Sequence, residues 1–67
     1  MKFSGADVAG ALKRAGFEAV SQKGSHLKLR HADGRVVIVP MHRELKRGTL
    51  QSILRQAKMA IEDLLGA

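Results

Sequence analysis

The chain has 67 residues, room for one domain spanning residues 1–67 with one small core, since a chain of this size buries only about 60% of its unfolded surface. Absence of cysteine excludes disulfides and thiolate metal sites and fits a reducing, cytoplasmic setting, and no apolar run nears the roughly 18 residues of a membrane span, so neither export nor anchoring is expected. Twelve Lys and Arg against six Asp and Glu give a net charge of +6 and point to a polyanionic partner, while two phenylalanines with no Tyr or Trp leave nothing to build an aromatic base-stacking platform.

Ser4-Gly5-Ala6-Asp7 has the spacing of a capping box with Asp in the acidic position, which predicts a helix over residues 5–15. Val8, Leu12 and Ala15 supply its apolar stripe, and Gly16 suits a left-handed exit. Phe17 to Lys23 reads as a first strand, followed by a turn at Gly24-Ser25. His26 to His31 alternates with period two, placing His26, Lys28 and Arg30 on one face and Leu27, Leu29 and His31 on the other. The Asp33-Gly34 pair predicts a hairpin turn, and Arg35 to Val39 is a β-branched run suited to a more deeply buried strand that Pro40 ends.

Beyond the loop at residues 41–48, Thr49 is the expected N-cap of a C-terminal helical region. Its stripe is Leu50, Ile53, Leu54, Ala57, Ile61, Leu64 and Leu65. Residues 49–65 permit one long helix or a break near Lys58 to Ala60. The fold class is α+β, with the order α-β-β-β-α, a three-stranded antiparallel sheet and the helices on one face, because each helix has a single apolar stripe to bury.

The charge is concentrated. Residues 23–47 hold Lys23, Lys28, Arg30, Arg35, Arg43, Lys46 and Arg47 against Asp33 and Glu44, leaving five of the six net positive charges in the middle of the chain. If Leu27 and Leu29 point at the helices, His26, Lys28 and Arg30 form a basic strip on the open face of the sheet. Imidazoles exchange protons near neutral pH, and neighbouring cations hold a phosphodiester and stabilise charge building on its oxygens. Such a set can cleave RNA without a metal: a base deprotonates a ribose 2′-OH, whose oxygen attacks the adjacent phosphorus, and DNA lacks that nucleophile. His31 sits at the wrong parity to join His26. His42, in the loop after Pro40, is the better second histidine, and no histidine pair has the i, i+4 spacing of a metal site. Lys46, Arg47, Gly48 and Thr49, ahead of a first helical turn without acids, suit a second phosphate.

These residues resemble the HicA toxins, also called YcfA-like mRNA interferases. The resemblance rests on a short helix ending in AGF, the tripeptide Gly24-Ser25-His26, the Asp-Gly turn, and the run VPMHRELKRGTLQSILRQA, which looks like the family's V-P-x-H, G-T-L and I-L-x-Q-A pattern. It implies a fold like that of double-stranded-RNA-binding domains and the toxin of a type II toxin–antitoxin system, an endoribonuclease that cuts mRNA and blocks translation. His26 falls on the family's catalytic histidine and His42 on its V-P-x-H histidine. RNA contacts are expected from Lys23, Gly24, Ser25, Lys28, Arg30, His42, Lys46, Arg47 and Thr49. The partners implied are mRNA and a HicB-like antitoxin that covers the active site; no cofactor, metal, membrane or direct DNA binding is expected. The resemblance also favours the break in the C-terminal helix, although Ala57-Lys58-Met59-Ala60 has neither the glycine terminator nor the hydroxyl cap seen in relatives. From the residues alone, a non-catalytic double-stranded-RNA binder and an interaction module for an acidic partner stand beside the nuclease.

Overall fold

The computed structural model describes residues 2–66. Helix α1 (Gly5–Arg14) is followed by strands β1 (Phe17–Lys23), β2 (His26–His31) and β3 (Val36–Pro40), then helices α2 (Arg47–Ala57) and α3 (Ile61–Gly66). The strands form one antiparallel sheet in the order β1-β2-β3. The core lies between one face of this sheet and the helices, where Leu27, Leu29, Val37 and Val39 meet Val8, Leu12, Ile53, Ala57 and Leu64. The α+β class and the order of elements follow the sequence reading, with the C-terminal region divided into two helices.

The capping box forms as its spacing predicts. The Asp7 N–H donates to Ser4 Oγ at 3.0 Å and the Ser4 N–H donates to Asp7 Oδ2 at 3.0 Å. Contact with Ser4, its backbone N–H first and its side chain second, holds the Asp7 carboxyl below its usual range. The helix closes one residue early: Ala15 is its exposed C-cap rather than part of the buried stripe, and Gly16 follows at φ +103°. Ala9 and Ala11 are buried instead.

One strand expectation needs correction. The run Val36–Val39 is not buried throughout; Val37 and Val39 face the core while Val36 and Ile38 are 39% and 37% exposed, because helices cover only one face of the sheet. Pro40 ends β3 as the sequence reading has it, as the last residue of the strand and paired with His26. Both positions are consistent with an outer strand, where a missing N–H does not interrupt a ladder. The outer edge of β3 is occupied from the side by α2, whose Gln56 Oε1 accepts the Ile38 N–H at 3.1 Å.

Helix α2 begins earlier than its hydroxyl suggested. Lys46 is the N-cap, with no side-chain cap bond, and Thr49 lies inside the first turn. The cause is tertiary: buried Leu45 is pinned by donation of its N–H to the Phe3 carbonyl at 2.7 Å, and the chain turns into the helix directly afterwards. The break comes at Lys58, which adopts φ 56°, ψ 44°. The Met59 N–H reaches back to the Leu54 carbonyl at 3.0 Å, the closure of a helix that usually has glycine in the left-handed position. Ala60 has no hydroxyl to cap α3, and the Asp63 carboxylate accepts its N–H at 2.8 Å instead. Leu65, assigned to the buried stripe, is 53% exposed.

Candidate functional site

The parity read from β2 holds in three dimensions. His26, Lys28 and Arg30 are exposed, while Leu27 and Leu29 are buried. Partners directly opposite one another in antiparallel strands share a face, so the register assembles three rows across the open side. Lys23, His26 and Pro40 make the first, Ser21, Lys28 and Ile38 the second, and Glu18, Arg30 and Val36 the third. A bulge between Ala19 and Ser21 makes this possible. Were Val20 paired in regular alternation instead of bulged out, Gln22 rather than Lys23 would stand across from His26.

The rows differ in electrostatics. A lysine stands across from His26, whereas an acid stands across from Arg30. Positive charge is therefore least compensated at the histidine end. The apolar side chains of Val36 and Ile38 border the strip on the β3 side, so it has a basic centre and an aliphatic margin. A cavity of about 270 Å³, lined by Gly16, Glu18, Val20, Arg30, His31 and Ala32, opens at the far end of the sheet from His26. The surface around His26 suits an extended chain laid across it better than an enclosed small molecule.

The β1–β2 connection has two residues, with Gly24 at φ +57° in the position where such a turn needs a positive φ. Gly24 accepts at its carbonyl from Gln22 Nε2 at 3.0 Å, fixing the turn that leads into His26. Ser25, next along, reaches the loop after β3: its carbonyl accepts the Met41 N–H, and its Oγ lies 3.5 Å from His42 Nε2. The loop is held from its other side by α1, since the Gly5 N–H donates to the His42 carbonyl at 2.8 Å. A Cβ on Gly5 would fall 2.3 Å from Pro40 O and 2.7 Å from Met41 Cα, so glycine is what lets the helix approach this segment.

Lys23, Gly24, Ser25, His26 and His42 are thus gathered at one end of the sheet, with Lys28 and Arg30 continuing along it. Lys46, Arg47 and Thr49 are not part of this strip. They lie at the start of α2 in the helical layer, with Lys46 and Arg47 exposed and Thr49 half-buried. Gly48 there has open space around it, so the turn remains uncapped and approachable. The Ser25–His42 contact and the role of Gly5 had no local signal, since they join positions 17 and 37 residues apart.

Arg35, counted with the basic cluster, leaves it. Its Nε bonds both carboxylate oxygens of Asp33, at 3.0 and 2.8 Å, its Nη1 donates to the Ala57 carbonyl at the end of α2, and its guanidinium lies 5.0 Å from the Phe17 ring centroid. These Arg35 donors hold the Asp33 carboxyl below its usual range. His31 is half-buried, its ring edge-on to Phe17 with centroids 5.1 Å apart. Its Nδ1 lies 3.1 Å from the Asp33 amide nitrogen and 3.2 Å from Asp33 Oδ1. Unprotonated it accepts from the first, and protonated it donates to the second. Among the described residues no three His, Cys, Asp or Glu side chains gather as metal ligands do, and no helix is long and apolar enough to cross a membrane.

The family model for the HicA toxin of bacterial toxin–antitoxin systems covers residues 5–59, from the first residue of α1 to the turn after α2. No curated protein matches the chain.

Proposed function

Because this chain belongs to the HicA toxin family, with an antitoxin partner implied by that membership, we propose that it is a metal-independent endoribonuclease that cuts mRNA in the cytoplasm with His26 as general base. The observation that carries this reading is the first row of the open face: an exposed imidazole with a lysine directly across the strand pair.

In this reaction His26 takes the proton of a ribose 2′-OH. The oxygen attacks the adjacent phosphorus, the O2′–P bond forms, and the P–O5′ bond breaks. Lys23 and Lys28 stabilise the extra negative charge on the non-bridging oxygens of the pentacoordinate state. The products are a 2′,3′-cyclic phosphate and a 5′-hydroxyl end. Arg30 holds a phosphate further along the strand, and Gly24 sets the turn that presents the imidazole. Lys46, Arg47 and Thr49, with the free N–H groups opening α2, hold backbone outside the reacting step. The antitoxin is of the HicB type and covers the basic strip, whose aliphatic border gives a protein partner apolar surface to bury.

The test is His26→Ala. A general base contributes about 10²- to 10⁴-fold, so cleavage of an mRNA fragment should fall by at least that lower figure while RNA affinity stays within about threefold and growth arrest on expression is relieved. Undiminished cleavage by a folded His26→Ala protein removes His26 as the base. RNA binding by the parent without any cleavage leaves the non-catalytic binder instead.

A further inference from the structure

We propose that His42 is the proton donor to the departing 5′ oxygen, with Ser25 as the residue that positions its ring; the proposal rests on the nuclease reading above.

In-line displacement at phosphorus puts the attacking and leaving oxygens on opposite sides, so the group that takes the 2′ proton cannot also deliver one to the 5′ oxygen in the same step. A second group is needed, and a donor works best when its proton affinity lies near the working pH. Lysine ammonium groups, with an ordinary pKa of about 10.4, give up protons reluctantly. That leaves the imidazoles. His31 is at the far end of β2 and is engaged by Phe17 and Asp33. His42 is at the near end: Pro40, two residues before it, is the cross-strand partner of His26, and Ser25, which its ring meets, immediately precedes His26.

The backbone around His42 is fixed independently of its side chain. The Met41 N–H is bound by the Ser25 carbonyl, and the His42 carbonyl by the Gly5 N–H at 2.8 Å, with α1 brought within reach because Gly5 has no Cβ. A loop residue pinned on both sides by main-chain bonds, with an exposed side chain, is arranged to hold a ring in place rather than to fill a core. The Ser25 hydroxyl, at 3.5 Å from Nε2, both donates and accepts and so serves that nitrogen in either protonation state. Catalytic hydrogen bonds of this length tighten when substrate binds. With Nε2 held, Nδ1 is the nitrogen that releases its proton.

The step balances without a further reactant. His26 gains the 2′ proton as O2′–P forms, His42 loses one to O5′ as P–O5′ breaks, and exchange with water after product release restores both rings.

The test compares two RNAs at a mapped cleavage position, one with the natural linkage and one with sulfur replacing the bridging 5′ oxygen. A thiolate departs without protonation. His42→Ala should cut the natural RNA about 100-fold more slowly and the sulfur RNA within threefold of the parent. Ser25→Ala should show a smaller loss, about three- to tenfold, also confined to the natural RNA, whereas His26→Ala stays slow on both. Because the loop is held through main-chain atoms, the unfolding midpoint of His42→Ala should match the parent, and His42→Asn provides a second folded variant with the same expected pattern. Equal slowing of both RNAs by His42→Ala and His42→Asn, or no slowing of either, overturns the assignment. Rescue of His26→Ala by sulfur reverses the two roles and also overturns it. A parent protein that cuts neither RNA fails the nuclease reading itself, a result distinct from all of these.

Discussion

At the two ends of β2 the chain places a histidine next to a basic residue, and the surroundings put them to different uses. At the far end His31 lies edge-on to Phe17 with its Nδ1 at Asp33, and Arg35 is committed to Asp33, to the end of α2 and to the face of Phe17. At the near end His26 is exposed with Lys23 across from it, and the hydrogen bonds around it involve main-chain atoms of Ser25, Met41, His42 and Gly5. Structure at the near end is thus supplied mainly by backbone, with the Gln22 side chain fixing the turn, which leaves His26 and Lys23 available, whereas at the far end the side chains are themselves the structure. A charged residue in a basic cluster is informative about ligands only after its tertiary partners are known.

This contrast is most sharply broken at Gly5. Alanine there is favoured by helix propensity, yet its Cβ would strike main-chain atoms of Pro40 and Met41, and backbone yields less readily than side chains. Overpacking of this kind costs about 2–3 kcal/mol. Gly5→Ala should lower stability by that amount in denaturant unfolding, against near-neutrality for Gly48→Ala, where the added methyl meets nothing. A Gly5→Ala protein as stable as the parent would show that the segment at residues 40–42 is not clamped by α1.

The second comparison is between two arginines of the same cluster. Removing Arg35 takes away a charge-assisted bond to the Ala57 carbonyl, the pairing with Asp33 and the contact with Phe17. The expected loss is about 1–2 kcal/mol. Arg30→Ala should change stability by less than about 0.5 kcal/mol while reducing the salt dependence of RNA binding by about one counterion. The crossed pattern, stability lost at Arg30 and salt slope lost at Arg35, would exchange their roles.

These two residues also show how far the sequence carried. Alternation in residues 26–31 made the open face legible, because a leucine at every second position can only be buried one way, and the capping box and the Gly24 turn followed from local chemistry. The start of α2 was not legible, since Thr49 is a good cap by composition but Leu45 and its bond to Phe3 decide where the chain turns. Nor was the outward face of β3, because a run of β-branched residues looks the same whether one face or both are covered. Lys58 in a left-handed conformation carries no mark in the sequence; resemblance to relatives indicated the break, and Ala57 and Leu64 on either side of it are both buried. The contact between Ser25 and His42, and the withdrawal of Arg35 from the basic strip, depend on partners 17 and 22 residues away.

The smallest expected effect is the response of the far end to acid. Asp33 titrates below the ordinary aspartate value of 3.8, chiefly because the Arg35 side chain and then the Arg35 N–H donate to its carboxylate, with the nearby His31 adding a weaker attraction. A carboxyl whose folded pKa is depressed contributes stability that is complete above the unfolded value and disappears as pH falls through the folded one. Asp33→Asn should therefore be less stable than the parent at pH 6, and the gap should narrow progressively as pH falls below the ordinary aspartate value of 3.8. Asp7, similarly depressed by Ser4, responds to acid in both proteins and cancels in the difference. Unfolding midpoints of the pair measured across that range test this directly. A gap that shows no narrowing as the pH is taken below the ordinary aspartate value would mean that the Asp33 side chain acts through shape rather than charge, and that the far end is not held by the ion pair with Arg35.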